Sequence, residues 1–399
     1  MRDRLLWNRR DFLQVAGCAS LSVMSTRLPS LSAVGKKGNT AATPRFAYVG
    51  YAGESAVVTN GFSHRIGVFA IEGKRWRPIG AVPSDHPSFL TLHPTERFLY
   101  VINEVDRYEN LPSGAVEAYA VDAKNGSLTL LNRQPLSLSA TAPRHMTVSP
   151  DGRALVVAVH GGGAYNMLPI NEKGSLGRVS GILKETGSGP DEEHQQAAHP
   201  QMVMFDRMGR LLGADMGSDR LSVFTLDNGR LSVMARSDAR AGSGPRHMEL
   251  HPSGSLLFVA NGLDASVSCY GYDEKNGRVL EQLEHVSTAT NSSGGKRAVL
   301  MTMHPSGEFL YTAHRSGKDG ITVWRSNSTG ALRVAQHEGD GLQSLHAITM
   351  APDGSSLLAL SRKSGSVVRW SVDQRSGHLT EPVQVAKVQA PMSMVVKYL

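Results

Sequence analysis

The chain has 399 residues, 40% hydrophobic and 6% aromatic, with 41 Gly, 19 Pro and a formal charge of +7. Residues 1–44 hold seven Lys or Arg (Arg2, Arg4, Arg9, Arg10, Arg27, Lys36, Lys37) against Asp3 and Asp11, so the remainder carries only about +2. A body so close to neutrality has no general attraction for a polyphosphate, which excludes nucleic-acid binding as its main business.

The leader reads "NRRDFLQVAGCASLSVMSTRLPSLSA". Arg9-Arg10 followed by Asp11-Phe12-Leu13 resembles a twin-arginine export signal. Phe12 to Met24 is 13 residues and only mildly apolar, whereas a spanning helix needs about 20 apolar residues. A cleavable signal is therefore expected over residues 1–44, with a periplasmic destination and no stable membrane span. Val15-Ala16-Gly17-Cys18 looks like a lipoprotein box but follows Arg10 too closely, so anchoring through Cys18 is not expected. Loss of Cys18 with the leader would leave Cys269 alone, which excludes an internal disulfide. Cys269 itself, in "SVSCYGY", reads as a small buried hydrophobe.

From Arg45 onward the chain reads as strand, turn, strand with almost no helix signal. "RFAYVGYAG" and "HRIGVFAIEGKRWRPIGAV" open it. A turn phrase then recurs: His93-Pro94, Ser149-Pro150-Asp151-Gly152, Asp206-Arg207-Met208-Gly209, His251-Pro252-Ser253-Gly254, His304-Pro305-Ser306-Gly307 and Ala351-Pro352-Asp353-Gly354, at steps of 45–57 residues. Each copy lies between two apolar strands, as in "HMTVSPDGRALVVAV" and "HMELHPSGSLLFVAN". An outer strand such as "SVSCYGYD" or "ITVWRSN" follows, then a hairpin marked by Asn125-Gly126, Asn228-Gly229 or Asn276-Gly277. A strand-and-turn repeat near 50 residues is the mark of a β-propeller. Six turn phrases plus the N-terminal strands predict seven four-stranded blades over residues 45–399. The final "APMSMVV" has strand character without a following turn, so Ala390–Val396 is expected to close the ring by pairing with the N-terminal strands. The polar spans Asp106–Ser113, Glu185–His199 and Thr288–Lys296 read as rim loops of this one domain.

In such a ring the innermost strands converge on a central channel, so polar residues at their starts gather there. These are His86, Arg144 with His145, His199 with Gln201, Arg246 with His247, Arg297 and His346. Glu104, His160, Asp215, His314 and Arg315 follow the next strand. Several Arg and His around one cavity suit an anionic ligand, Arg supplying bidentate contacts. The same side chains could equally serve as spacers that hydrogen-bond backbone between blades. There is no HExxH or CxxC to support zinc, and no GxSxG elbow. Gly161-Gly162-Gly163 leads into strand rather than helix, so it lacks the helix N-terminus of a phosphate loop.

"GPRHMELHPSGSLLFVANGLDASVSCYGYDEKNGRV", residues 244–279, resembles the hallmark segment of the seven-bladed lactonase family, which contains propeller-type 6-phosphogluconolactonases and fungal carboxy-muconate lactonizing enzymes. "FAYVGYAG", "HPSFLTLHPTERFLYVINE", "APRHMTVSPDGRALVVAVHGGG" and "GADMGSDRLSVFTLDNGRL" extend the similarity over residues 45–398. The resemblance implies cofactor-independent opening or closing of a lactone ring on a carboxylated or phosphorylated, sugar-acid-like substrate, by a monomer. It implies that Arg246 binds the anion. Three positions depart from the family pattern: Gln201 stands where a His is usual, Gly262 follows Asn261 where Asn-Glu is usual, and Ala298-Val299-Leu300-Met301 replaces an Ala-Ala-acidic-Ile pattern. The usual proton-transfer His and two acids are thus absent, and His199 or His247 is expected to act as general base. Residues 199 and 201 share a face if the strand alternates, whereas alternation sends His247 to the face opposite Arg246. Arg246, Arg144, His145, Gln201, Arg297, His346 and Glu104 are the expected substrate-binding set. A non-catalytic anion- or partner-binding propeller is the alternative. A metal- or quinone-dependent redox propeller has no ligand motif behind it.

Overall fold

The computed structural model describes residues 44–52, 64–227, 229–288, 299–314, 320–338, 342 and 344–398. The chain divides into Met1–Ala41 and Ala42–Leu399, and every described residue belongs to the second unit. The expected leader, Arg297 and Arg315 lie outside the described residues.

The strands form seven antiparallel sheets of four, the seven-bladed propeller expected from the turn phrases. Blade 1 contains Pro391–Tyr398, Pro44–Ala52, His64–Glu72 and Arg75–Pro83, in that order. The C-terminal strand pairs with the N-terminal one through Val49↔Met394 and Ala47↔Val396, which closes the ring as expected. Ser393 Oγ donates to Pro87 O at 2.7 Å, and Lys397 Nζ reaches Glu96 Oε2 at 2.9 Å, so the closing strand is also tied to blade 2. Closure removes the sheet edges on which an open array would aggregate. Blades 2 to 7 start at Pro87, Pro143, Pro200, Pro245, Val299 and Leu345.

Two repeated contacts hold several of the blades against the next. The first uses the second strand of a blade, where Phe-x-Tyr occurs as Phe46/Tyr48, Phe98/Tyr100 and Phe309/Tyr311. The Tyr hydroxyls donate to the carbonyls of Gly126, Gly174 and Gly377 in the outer hairpins of the following blades, at 3.0, 3.0 and 2.8 Å. The Phe ring of each pair lies directly over the same glycine, where a β-carbon would overlap it. The second contact belongs to the turn phrase. His93 Nδ1 accepts the Thr95 amide at 3.1 Å, which leaves Nε2 to donate to Gly152 O in the next turn at 3.0 Å. His251 and His304 likewise point Nε2 toward Gly307 and Gly354 of the next turn. The His of the turn phrase therefore fastens the ring at the end opposite the strand starts.

Hydrophobic packing between blades completes the ring. Tyr100, Ile102, Val116, Leu155, Val157 and Val159, all fully buried, join blade 2 to blade 3 in one such cluster. Cys269 is buried, a free thiol, and its pKa is pushed up to about 12 by burial, consistent with a packing role.

Gly174→Ala tests the first contact, because Gly174 has φ +82° and lies under Phe98. The substitution is expected to lower stability to urea by about 1–3 kcal/mol. An unchanged midpoint would show that the Phe-x-Tyr contact does not hold the blades together.

Candidate functional site

Six innermost strands begin with the same irregularity. In blade 5, Pro245 pairs with Asn261 but His247 pairs with Ala260, which leaves Arg246 as an extra residue. The same slip isolates Met392 in blade 1, Ser88 in blade 2, Arg144 in blade 3, Gln201 in blade 4 and His346 in blade 7. Blade 6 runs from Val299 without it. These are β-bulges, which re-aim a side chain and break the alternation of faces. Arg246 and His247 consequently both line one cavity of about 550 Å³ at the ring's centre, as do Arg144 and His145. The alternation expected for His247 is corrected here: the bulge brings it to the same cavity as Arg246.

His86, Glu104, Gln201 and His346 also line this cavity. Glu104 accepts a charge-assisted hydrogen bond from Arg144 Nη1 across the blade 2–3 boundary. Asn103-Glu104 has the same Asn-Glu form that the chain lacks at Asn261-Gly262. At Gly262 the backbone instead lies against the stem of Arg246, where a β-carbon would stand 3.3 Å from Arg246 Cδ.

His199 is not among the lining residues. It precedes the strand Pro200–Phe205, and its amide donates to Asp215 Oδ1 at 2.7 Å. Its Nδ1 donates to His160 O at 2.9 Å, and the two imidazoles stack with centroids 4.2 Å apart. Gln201 Nε2 donates to His160 Nδ1 at 2.7 Å. The polar chain therefore runs from Gln201, at the cavity, through His160 to His199. Burial, then the charges of Arg144, His199 and Arg246, lower the His160 pKa to about 3, so its imidazole is neutral and can accept the Gln201 amide. Asp215 is buried and accepts the amides of Gly217 and Ser218 at 2.9 and 3.1 Å, so it shapes the loop rather than the cavity. His314 Nε2 is held by Thr288 O at 3.0 Å, also away from the cavity lining.

His145 packs its ring on Phe89, with centroids 4.2 Å apart. Burial, reinforced by His247, lowers its pKa to about 3, which makes it a neutral polar group in the wall. Glu249 also lines the cavity and is absent from the expected set. Burial raises its carboxyl pKa to about 8. A signal for it does exist in the sequence: two residues before the turn phrase the other blades carry Thr91, Thr147, Met204, Thr302 and Thr349, and only blade 5 carries an acid.

A second polar cluster has the composition of a hydrolase triad without its geometry. Ser268 Oγ and His285 Nδ1 are 3.0 Å apart, and His285 Nε2 lies 3.6 Å from Asp264 Oδ2. Ser268 is fully buried, so no substrate carbonyl can reach its hydroxyl. Blade 6 repeats the pair as Thr322 and His337 at 3.0 Å, which identifies it as cross-strand support.

The profile of a family described as "Lactonase, 7-bladed beta-propeller" matches residues 39–396. The chain is 27% identical over 361 residues to a 6-phosphogluconolactonase of Bacillus subtilis, an alignment covering 88% of this chain and 98% of that protein. It is also 27% identical to a 6-phosphogluconolactonase of Formosa agariphila, over 77% of this chain and 87% of that one. Among solved structures, a putative 6-phosphogluconolactonase from Bacteroides fragilis superimposes with a TM-score of 0.78 at 24% identity, over 90% of this chain and 100% of that chain. The periplasmic gluconolactonase of Pseudomonas aeruginosa superimposes with a TM-score of 0.76 at 23% identity, over 89% of this chain and 99% of that chain. Together with the seven blades and the cavity at their centre, the family match establishes that the chain belongs to the seven-bladed β-propeller lactonases.

Proposed function

We propose that this protein is an exported lactone hydrolase that opens the ring of a small anionic, sugar-acid-like lactone without a cofactor. The observation that carries this reading is the bulge in blade 5, which delivers a guanidinium and an imidazole to one cavity from adjacent positions, Arg246 and His247. Opening a lactone requires a base to activate water and a positive or hydrogen-bonding group to meet the developing oxyanion. His247 supplies the base, and Arg246 holds the anionic group or the oxyanion. Arg144 is balanced by Glu104 and shapes the mouth of the cavity. His199, with its Nδ1 committed to His160 O, supports the Gln201–His160 wall. Relatives named 6-phosphogluconolactonase favour a sugar-acid lactone. The leader favours a non-phosphorylated one, because phosphorylated sugar intermediates are cytoplasmic.

Gln201 and Gly262 favour one other reading, a propeller that binds an anion without turning it over. Both readings require Arg246 for binding, and turnover separates them.

The purified protein is expected to open D-glucono-δ-lactone or a muconolactone faster than buffer does. Arg246→Ala should raise KM at least about tenfold, the loss of one charge-assisted contact, and His247→Asn should lower kcat roughly 100-fold. If the wild type opens no sugar or muconate-type lactone, hydrolysis is wrong and the binding reading stands.

Export is tested separately by replacing Arg9 and Arg10 with Lys and fractionating cells. The variant should stay in the cytoplasm, and a variant that still reaches the periplasm would remove the twin-arginine assignment.

A further inference from the structure

We propose that Glu249 is the acid that protonates the ring oxygen as it leaves the carbonyl carbon, a role that rests on the lactonase reading above. Glu249 lies on the strand Pro245–Leu250, two residues beyond His247, and both side chains line the central cavity. Residues two apart on a strand share a face and are spaced by about 6–7 Å. A lactone ring lying along that strand would place its carbonyl carbon near His247 and its ring oxygen toward Glu249.

The surroundings of Glu249 single it out. It makes no hydrogen bond or ion pair with any described residue. The flanking strands Pro200–Phe205 and Val299–Met303 contribute no ionisable side chain. The cavity's other carboxylate, Glu104, is held by Arg144 at the strand starts. Among the described residues, the remaining ionisable groups are Arg246 and His247 on its own strand, and His86, His145, His346 and Arg362 elsewhere around the cavity. Glu249 is half-buried in the cavity wall rather than sealed in the core, so its carboxyl is open to a ligand there. Thr302 and Thr349 occupy the same register in the next two blades and also line the cavity, so the fold itself does not demand an acid there. Burial, which raises the Glu249 pKa to about 8, keeps it in the proton-bearing form at neutral pH.

The step balances as follows. The oxygen of water bonds to the carbonyl carbon, and the proton that water loses goes to His247. The bond from that carbon to the ring oxygen then breaks, and the electron pair left on the ring oxygen takes the proton of Glu249. The product is a hydroxy acid, leaving His247 protonated and Glu249 ionised. Transfer of a proton from His247 to Glu249, directly or through water, restores both, and the product acid ionises into solvent. Because the protonated form of Glu249 is required, the rate falls as pH rises through its pKa.

The test uses the full chain with Glu249→Thr, Glu249→Gln and Glu249→Asp, assayed on D-glucono-δ-lactone and on dihydrocoumarin from pH 6 to 9. Dihydrocoumarin expels a phenolate, which leaves without help from an acid. Thr is the residue of four other blades at this register, so Glu249→Thr should fold with an unchanged or raised Tm. On gluconolactone the Thr and Gln variants should lose kcat roughly 100-fold or more, keep KM within about threefold, and lose the alkaline decline, while Asp restores part of the rate. On dihydrocoumarin their loss should be at least tenfold smaller, roughly the share a general acid contributes. Unchanged kcat, or equal losses on both lactones, would overturn the role of Glu249 while leaving the lactonase reading intact. A wild type that opens neither lactone would remove that reading and this role together.

Discussion

The structure depends on a hydrogen bond repeated at three blade boundaries, from a tyrosine hydroxyl to the carbonyl of a hairpin glycine. Tyr48, Tyr100 and Tyr311 make it to Gly126, Gly174 and Gly377. It is buried, so its loss would strand a polar group as well as remove a contact. Its partner Phe packs on the same glycine, which fixes where the neighbouring hairpin can sit. The histidines of the turn phrase apply the same logic beside them, His93 and His304 packing on Phe98 and Phe309 while each reaches toward a glycine one blade away. With both contacts in place, the innermost strands face a common channel, and the site becomes a matter of which side chains those strands present.

A one-residue bulge at the head of six of those strands shapes this. In a regular strand Arg246 and His247 would face opposite sides of the blade, and the bulge breaks that alternation. The bulge gives each blade two consecutive side chains to place in the cavity wall. Blades 3 and 5 spend them on Arg-His pairs, whereas blade 4 uses Gln201-Met202 and blade 7 uses His346-Ala347. The cavity is accordingly rich in charge at one arc, and blade 6, which has no bulge, contributes Leu300, Met301 and Thr302.

The fold was legible in the sequence because the turn phrase is a structural contact repeated in near-identical words: the His and Gly that fasten one blade to the next are the letters that recur. The strand starts were legible for the same reason, and seven of the residues read from them line the cavity, joined by Glu104 from beyond the next strand. Facing was not legible. It depends on which residue of the partner strand each one opposes, and a bulge leaves no mark in composition or spacing. His199 shows the converse: it is two residues from Gln201, but the strand begins at Pro200, so alternation does not extend to it. Glu249 is not legible by itself, because one acid in a strand has the look of a solvated face. Only the comparison of blades at equal distance from the turn shows that threonine is the usual residue there.

The central claim is that Arg246 and His247 form one site. The most direct measurement is a crystal structure of the protein with gluconate, the ring-opened acid of the simplest sugar lactone. The account predicts the carboxylate in the central cavity, paired with Arg246 and with an oxygen within hydrogen-bonding distance of the His247 imidazole. An acid bound outside the channel, or inside it but away from both residues, would contradict the account.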